Sequence, residues 1–374
     1  MYARTLGLVV GVLVLLGTAT VAGFCLKLFL NRRPDSGLDP AVIETFRVRI
    51  RAWWLLFAGV AGTYLLGPMA TVVLFGLIAF WALREFITLT PTRPTDHRTL
   101  FWVFFLCTPL QFVLVAMAWY ELYSIAIPVY AFLLIPTGMA LSGDSKRFLE
   151  RTAKIQAGLL ICVYCLSHAP ALLTLDLAAK NVAEAGEAGE SGSPEAAPPA
   201  ADRPENDTAQ SASPAEAEAE AEGDAPVAPK PRTWGTLAHF QLLFFFVLMV
   251  QLSDVLQYAW AQLPSKHVIV PTISPGKTWE GLLGSAASAT LLGTALSYFT
   301  PFHEWWHAAC TSLVIALMAF AGGLTMSAIK RDRGVKDYGT LVEGHGGVLD
   351  RIDSICFAAP VFFHLARIFF QSGA

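Results

Sequence analysis

Residues 327–354, SAIKRDRGVKDYGTLVEGHGGVLDRIDS, concentrate charge between two strongly apolar runs. The run before this stretch, residues 307–327, is HAACTSLVIALMAFAGGLTMS, and the run after it, residues 354–370, is SICFAAPVFFHLARIFF. Each run approaches the roughly 20 apolar residues that a helix needs to cross the hydrocarbon layer of a membrane. The pattern predicts two membrane-spanning helices joined by a short charged loop.

The composition of the whole chain also indicates a membrane protein. Its 374 residues are 55% hydrophobic and only 15% charged, and the mean hydropathy is +0.52. A soluble domain carries about 25% charged residues, so these values exclude an ordinary soluble protein. The formal net charge of −3 indicates little about partners, because the charges are segregated by region.

Ten apolar runs are candidate spans, so we predict an all-α, polytopic integral membrane protein with about ten transmembrane helices. They are residues 5–26, 52–66, 68–83, 100–119, 122–141, 155–177, 236–259, 281–300, 307–327 and 354–370. The second and third runs are short and meet at Gly67 and Pro68, so a helical hairpin that does not fully cross is an alternative there. The first run is longer than the h-region of a signal peptide, about 7–15 residues, so we expect it to be a retained span.

Lys and Arg are concentrated in every second loop, and this predicts the orientation in the membrane. Basic residues follow the first, third, fifth, seventh and ninth runs, whereas the intervening loops are nearly free of positive charge. Cytoplasmic loops carry the excess of Lys and Arg. We therefore expect a multi-pass protein of the bacterial inner membrane, with the basic loops in the cytoplasm and both termini outside.

Residues 179–234 differ in composition from the rest of the chain. The segment is rich in Ala, Glu, Pro and Ser and has almost no bulky apolar side chains. It cannot bury enough surface to offset chain entropy, so we predict a disordered acidic loop on the outside, with a tether for a partner as the alternative to a plain linker. The loop separates an N-terminal membrane region of about six spans, residues 1–178, from a C-terminal membrane region of about four, residues 235–374.

Two charged loops of the C-terminal region carry the residues suited to chemistry. The first, residues 251–281, contains Asp254 within or at the end of an apolar helix. An ionised carboxylate there costs several kcal/mol unless it is paired or bound to a metal, and a buried ion pair is the alternative to a metal ligand. Tyr258 lies four residues further on, so it shares a helix face with Asp254.

The sequence SPGKTWEG, residues 274–281, predicts the start of a helix. Ser274 or Thr278 can cap free backbone N–H groups of its first turn. Lys277 stands beside those donors, which is an arrangement typical of phosphate sites. The signal is weak by itself, because the Gly-Lys-Thr triplet is not a complete P-loop motif.

The second loop is the opening stretch, and its residue types suit phosphoryl or nucleotidyl transfer. Asp337, Asp350 and Asp353 can share a divalent cation through oxygen ligands, which Mg²⁺ prefers. His345 stands in a Gly-His-Gly-Gly turn, where the backbone can approach a ligand closely. Four of the five Lys and Arg side chains of this loop are candidates to neutralise phosphate oxygens. They are Lys330, Arg331, Lys336 and Arg351.

Together these residues resemble the signature of the phosphatidate cytidylyltransferases, also called CDP-diacylglycerol synthases. The run ISPGKTWEG resembles the ISPKKTWEG element of that family, and Asp254 with Tyr258 resembles its pair of Asp and Tyr. The resemblance covers about the last 140 residues. The N-terminal half matches only as a multispan region, with a faint similarity at Arg84-Glu85-Phe86. The matching positions in the second loop are Ser327, Lys330, Arg331, Gly334, Lys336, Asp337, Gly339, Gly344, His345, Gly346, Gly347, Leu349, Asp350, Arg351 and Asp353.

The resemblance implies an enzyme that joins phosphatidic acid to CTP, with Mg²⁺, and gives CDP-diacylglycerol and pyrophosphate. It implies that Asp350 is a metal ligand, with Asp254 and Asp353 as further carboxylates, and it leaves room for a second monovalent or divalent cation. The implied partners are CTP, phosphatidic acid and membrane lipids, with no nucleic acid, and a homodimer is left open. The residues implied for catalysis are Asp337, Lys330, Arg331, Lys336, His345 and Arg351. The residues implied for substrate binding are Ser274, Lys277, Thr278, Tyr258 and Ser327.

Four departures separate this chain from the family pattern. Gly323 stands four residues before Ser327, where the family usually has an Asp in GDLxxS, so one expected metal carboxylate is missing. The usual GRxxGK is AQLPSK here, Gly276 replaces the first Lys of SPKKTW, and Glu343 replaces the Pro before GHGG. We therefore interpret the chain as a diverged member. The alternatives are an enzyme for another lipid phosphate or nucleotide, and a catalytically inactive membrane scaffold or lipid carrier.

Overall fold

The computed structural model describes residues 64–89, 92–177, 236–262, 267–302, 304–339 and 346–371, together with separate positions between 13 and 62. Four sequence predictions fall wholly or in large part outside these residues. They are the spans at 5–26 and 52–66, the acidic loop at 179–234, and the role of His345.

Eight helices of the described residues are long and apolar enough to cross a membrane. The N-terminal region contributes α1 (Pro68–Thr88), α2 (Pro94–Ala116), α3 (Tyr120–Ala140) and α4 (Phe148–Thr174). The C-terminal region contributes α5 (Leu237–Trp260), α6 (Trp279–Phe299), α7 (Trp305–Asp332) and α8 (Leu349–Phe370). Each helix coincides with one predicted span, so the all-α, polytopic membrane fold is confirmed.

Helix α1 is longer than the apolar run that predicted it. The run ends at residue 83, but the helix continues through Arg84 and Glu85 and is 21 residues long. At about 1.5 Å per residue this length is close to the thickness of the hydrocarbon layer. The alternative of a helix too short to cross is therefore wrong for α1. In this added turn Glu85 is buried, with 5% of its surface exposed, and accepts a hydrogen bond from the backbone N–H of Leu349 at the start of α8.

A two-stranded hairpin lies between α5 and α6, and the sequence did not predict it. Strand β1 (Val268–Val270) pairs antiparallel with β2 (Ser274–Thr278), with Val268 opposite Thr278 and Val270 opposite Ser274. Strand β2 leads directly into α6, as the predicted helix start at SPGKTWEG required. The hairpin therefore fixes the direction in which the first residues of α6 enter the bundle.

The helices pack around a core of aromatic and aliphatic side chains from both regions. Phe246 of α5 stacks on Phe362 of α8 with ring centroids 5.0 Å apart. Large apolar side chains also cover the outside of the bundle, among them Leu77, Phe105 and Leu133. Such a surface suits a protein surrounded by lipid, because the hydrocarbon layer accepts side chains that water would reject.

Helices α7 and α8 approach each other closely at Gly322. A Cβ atom added to this glycine would lie 2.9 Å from the carbonyl oxygen of Asp353 and from Cβ of Phe357. Small residues allow helix backbones to approach in this way in membrane proteins. The contact places the neighbouring Gly323 beside the first turns of α8, where the charged residues of the opening stretch lie.

Candidate active site

Asp350, in the first turn of α8, connects both ends of the charged loop. Its Oδ1 accepts a hydrogen bond from Nζ of Lys330, at the end of α7, over 2.9 Å. Its Oδ2 accepts from the backbone N–H groups of Tyr338 at 2.8 Å and Gly347 at 2.9 Å. Gly346 has φ of 80°, a conformation that favours glycine. The carboxylate therefore holds the loop against the start of α8.

A second carboxylate reaches the same helix start from the N-terminal region. Glu85 of α1 accepts from the backbone N–H of Val348 through Oε1 at 2.9 Å and from that of Leu349 through Oε2 at 2.8 Å. These are N–H groups that a helix leaves unpaired at its first turn, and a negative charge is favoured there. This contact was not predicted from the sequence, in which a carboxylate at the end of an apolar run indicates the need for a partner but not which residue provides it.

Asp254 of α5 and Asp353 of α8 meet at Ser354. The Ser354 hydroxyl donates to Oδ1 of Asp254 over 3.0 Å and lies 3.5 Å from Oδ1 of Asp353. The same oxygen of Asp353 accepts from the Ser354 backbone N–H at 2.7 Å. Because Asp350 lies four residues before Ser354 on α8, the structure brings the three predicted metal carboxylates to one end of the helix bundle.

Lys277 of β2 points its ammonium group into this end of the bundle. Nζ donates to Oε1 of Gln257 and to the carbonyl oxygen of Phe320, both at 3.3 Å, and lies 4.5 Å from the centre of the Phe320 ring. Burial lowers the pKa of Lys277, whereas the charges of Asp254 and Asp353 act in the opposite direction. The side chain therefore lies between α5 and α7, close to acidic groups.

The two residues expected to cap α6 have different positions. Thr278 is the N-cap, and its buried Oγ1 accepts from the backbone N–H of Gly281 over 3.0 Å. Ser274 lies at the other end of β2, opposite Val270, and is partly buried. Of the two predicted caps, Thr278 is confirmed. The Thr278 hydroxyl, which the resemblance implied for substrate binding, therefore has a structural role.

The other predicted site residues lie around the same charged loop. Ser327 donates from its hydroxyl to the carbonyl oxygen of Gly323 over 2.6 Å. Arg331 is exposed, and its Nε donates to the carbonyl oxygen of Ile273 over 3.3 Å. Four further predicted site residues differ in how far their side chains are exposed to solvent. They are Lys336 and Asp337, which are exposed, and Arg351 and Tyr258, which are partly buried.

The carboxylates suit a magnesium ion in type, but they do not form a complete cage. In the described part of the chain, no group of three or more His, Cys, Asp or Glu side chains could hold a metal ion by itself. Mg²⁺ is usually bound by one or two carboxylates together with waters and substrate phosphates. The Asp254–Asp353 pair at Ser354 fits such a shared site, in which the nucleotide supplies the remaining oxygens.

Protein families and individual proteins of known sequence show what this chain is similar to. The model of a family described as the cytidylyltransferase family matches residues 47–369. Among individual proteins, Uncharacterized protein YnbB of Escherichia coli (strain K12) is 32% identical over 325 residues, which are 86% of this chain and 87% of that protein. The similarity therefore extends over both membrane regions.

Two relatives that are named for an enzymatic activity match a shorter segment. Phosphatidate cytidylyltransferase of Mycobacterium leprae (strain TN) is 42% identical over 119 residues, 32% of this chain and 38% of that protein. Phosphatidate cytidylyltransferase of Staphylococcus aureus (strain COL) is 38% identical over 124 residues, 33% of this chain and 47% of that protein. Both alignments cover less than half of the relative. Since the family model covers most of the chain, this protein belongs to the cytidylyltransferase family.

Proposed function

We propose that this protein is a CTP:phosphatidate cytidylyltransferase of a bacterial inner membrane, making CDP-diacylglycerol and pyrophosphate for phospholipid biosynthesis. Its family supports cytidylyl transfer, and a site at the end of membrane helices suits a lipid substrate. The observation that carries the proposal is the Ser354 bridge between Asp254 and Asp353, with Lys277 and Lys330 beside it. This arrangement combines metal-binding oxygens with phosphate-binding cations.

The reaction begins when a phosphate oxygen of the lipid attacks the α-phosphorus of CTP. A new P–O bond forms there, and the bond from the α-phosphorus to the oxygen bridging it to the β-phosphate breaks. Pyrophosphate leaves with that electron pair. Both reactants are anions, so the protein contributes chiefly by positioning them and by neutralising charge.

The cations of the loop would provide that neutralisation. Lys330 and Arg331 stand in the last turn of α7, and Lys336 and Arg351 follow in the loop and in α8. Each can donate to phosphate oxygens. We assign the supporting contacts to CTP and lipid phosphate, as the resemblance implies, to a further group. It comprises Ser274, Lys277, Tyr258, Ser327, Asp337 and His345, whereas Thr278 keeps its structural role as the N-cap of α6.

Magnesium would be held by Asp254 and Asp353, with Asp350 as the third carboxylate of the set. When bound, it would polarise phosphoryl oxygens and neutralise charge that develops during transfer. Lys330 now pairs with Asp350, so this lysine would turn to the nucleotide phosphates as Asp350 takes up its metal role. Asp350 also keeps the loop closed through its contacts with backbone N–H groups.

The direct test is lipid-dependent release of pyrophosphate by the purified full chain in detergent, with CTP, phosphatidic acid and Mg²⁺. Diacylglycerol is the matched control acceptor, because it differs from phosphatidic acid only in lacking the phosphate. The proposal expects release with phosphatidic acid, none with diacylglycerol, and loss of release when EDTA removes the metal. Release that does not depend on the lipid would contradict it.

A second candidate is transfer to another lipid phosphate or from another nucleotide. Gly323 favours it, because this position lies within the site and departs from the pattern of the family that the chain resembles. The same assay with ATP, GTP and UTP, and with lysophosphatidic acid and phosphoinositides, separates the two. Pyrophosphate release with another nucleotide or another lipid phosphate, but not with CTP and phosphatidic acid, supports the second candidate. No release with any combination of nucleotide and lipid favours an inactive scaffold or lipid carrier.

A further inference from the structure

Gly323 leaves space for the ammonium group of Lys277. A Cβ atom added at Gly323 would lie 2.9 Å from Nζ of Lys277 and 3.6 Å from its Cε. The first distance is shorter than side-chain carbons tolerate, so any larger residue would displace the ammonium. The position of Lys277 between α5 and α7 therefore depends on glycine at this place in α7.

The same space borders the acidic pair at Ser354. The Cβ position at Gly323 lies 4.0 Å from Oδ2 of Asp353, so the ammonium and this carboxylate flank one small volume. Lys277 also donates to Gln257, which lies one helical turn beyond Asp254 on α5.

We propose that Lys277 is a built-in counter-ion of the Asp254–Asp353 pair, admitted by Gly323, and that its ammonium competes with a divalent cation for these carboxylates. The inference rests on the proposed function for the identity of that cation. A positive charge beside two carboxylates weakens their attraction for a second cation. The free protein thus binds metal weakly, and the metal arrives with the nucleotide.

Nucleotide phosphates change this balance. They offer Lys277 a new anionic partner, and the flexible lysine stem allows the ammonium to turn toward them. The carboxylates are then released to the cation that accompanies the phosphates. The ammonium group of Lys277 would in this way take the place of the second cation that the family resemblance allows.

The test is Mn²⁺ binding to the full chain in detergent, without nucleotide or lipid, measured by electron paramagnetic resonance. Lys277→Met removes the charge but keeps much of the side-chain volume. We expect it to raise the affinity for Mn²⁺ about tenfold, with one ion per chain. The matched control is Lys146→Met, at an exposed lysine between α3 and α4, which should leave the affinity unchanged. An unchanged or lower affinity in Lys277→Met would overturn the proposal.

Gly323→Ala gives an independent test, because it adds no ligand and removes no charge. Its Cβ should displace the ammonium and also raise the affinity for Mn²⁺, whereas no change would refute the role of the glycine. In the double variant the two increases should not add, since both act on the same ammonium. Circular dichroism identifies variants that fail to fold, and Lys277→Gln then replaces Lys277→Met.

The Mn²⁺-binding measurement tests the counter-ion independently of the proposed function, because it uses neither nucleotide nor lipid. Tighter Mn²⁺ binding in both variants, together with no cytidylyl transfer by the wild type, would reject the proposed reaction and retain the counter-ion. Transfer by the wild type, together with unchanged Mn²⁺ binding in the variants, would reject the counter-ion and retain the reaction.

Discussion

Asp350 joins the charged loop to the first turn of α8 through both of its carboxylate oxygens. The pattern predicted a carboxylate that binds a metal, and its surroundings of Gly, Lys and Arg indicated phosphate chemistry. It did not indicate that both oxygens contact the protein, through Lys330 and through two backbone N–H groups. Those contacts depend on how the loop folds back, which no local spacing specifies.

We expect Asp350→Asn to lower cytidylyl transfer by about 100-fold or more, because it removes a charge that would face both Lys330 and the metal. The amide oxygen can still accept from backbone N–H groups, so the helical circular dichroism signal should remain. Asp332→Asn is the control, since Asp332 is exposed and pairs with the neighbouring Arg333. A wild-type rate in Asp350→Asn would remove Asp350 from the active site.

The element that organises the site is the start of α8. Glu85 of α1 accepts from the backbone N–H groups of Val348 and Leu349 at this start, and a Cβ atom added to Gly339 would lie 2.9 Å from Oε1 of Glu85. The carboxylate is thus enclosed by the loop and by the helix start. This arrangement joins the two membrane regions at the point from which Asp350, Asp353 and Ser354 project.

Glu85→Gln should destabilise the protein by about 1–3 kcal/mol, because one acceptor becomes an amide N–H₂ that faces a buried donor. The measurement is the midpoint of thermal unfolding in detergent, which should fall. Glu121→Gln is a matched control, because Glu121 also stands in the first turn of a helix, α3, but is exposed. Equal midpoints for the two variants would contradict the capping role of Glu85.

Thr278→Val should destabilise the start of α6 by about 1 kcal/mol, the usual cost of losing an N-cap. Thr290→Val, in the same helix, removes a hydroxyl that only donates to the carbonyl oxygen of Ala286, so its effect should be smaller. Hydrogen exchange of the amide of Gly281 reports the difference directly. Slow exchange of this amide in Thr278→Val would show that the hydroxyl is not its main partner.

Hydropathy predicted the helices, but not all of their ends or connections. The apolar runs located α1 to α8 because a span needs a minimum length of apolar side chains. They missed the last turn of α1 because Glu85 is polar by sequence and buried only through a contact with α8. They also missed β1 and β2, because a strand as short as Val268–Val270 gives no clear periodic signal.

At the scale of the whole molecule, the site depends on both membrane regions. The sequence placed its chemistry in the C-terminal region, and the structure adds Glu85 from a helix 263 positions earlier than Val348. A contact over this separation leaves no pattern in a single sequence. The charged residues could be predicted as a group, because they are close along the chain, whereas the partner from α1 could not.

The basic loops should face the cytoplasm, because Lys and Arg mark the cytoplasmic side. Single cysteines introduced into a cysteine-free variant can report this with a reagent that does not cross membranes. Lys146→Cys and Lys336→Cys should react only after cells are permeabilised, whereas Trp119→Cys, between α2 and α3, should react in intact cells. The reverse pattern would place the candidate site outside.

The most direct measurement follows the label from CTP radiolabelled at its α-phosphorus during incubation with phosphatidic acid and the wild type, Asp254→Asn or Asp353→Asn. If carboxylates from α5 and α8 form one active site, the label enters the lipid with the wild type, and either substitution alone abolishes its entry. Unlabelled lipid with the wild type, or full labelling after either substitution, would contradict a shared site.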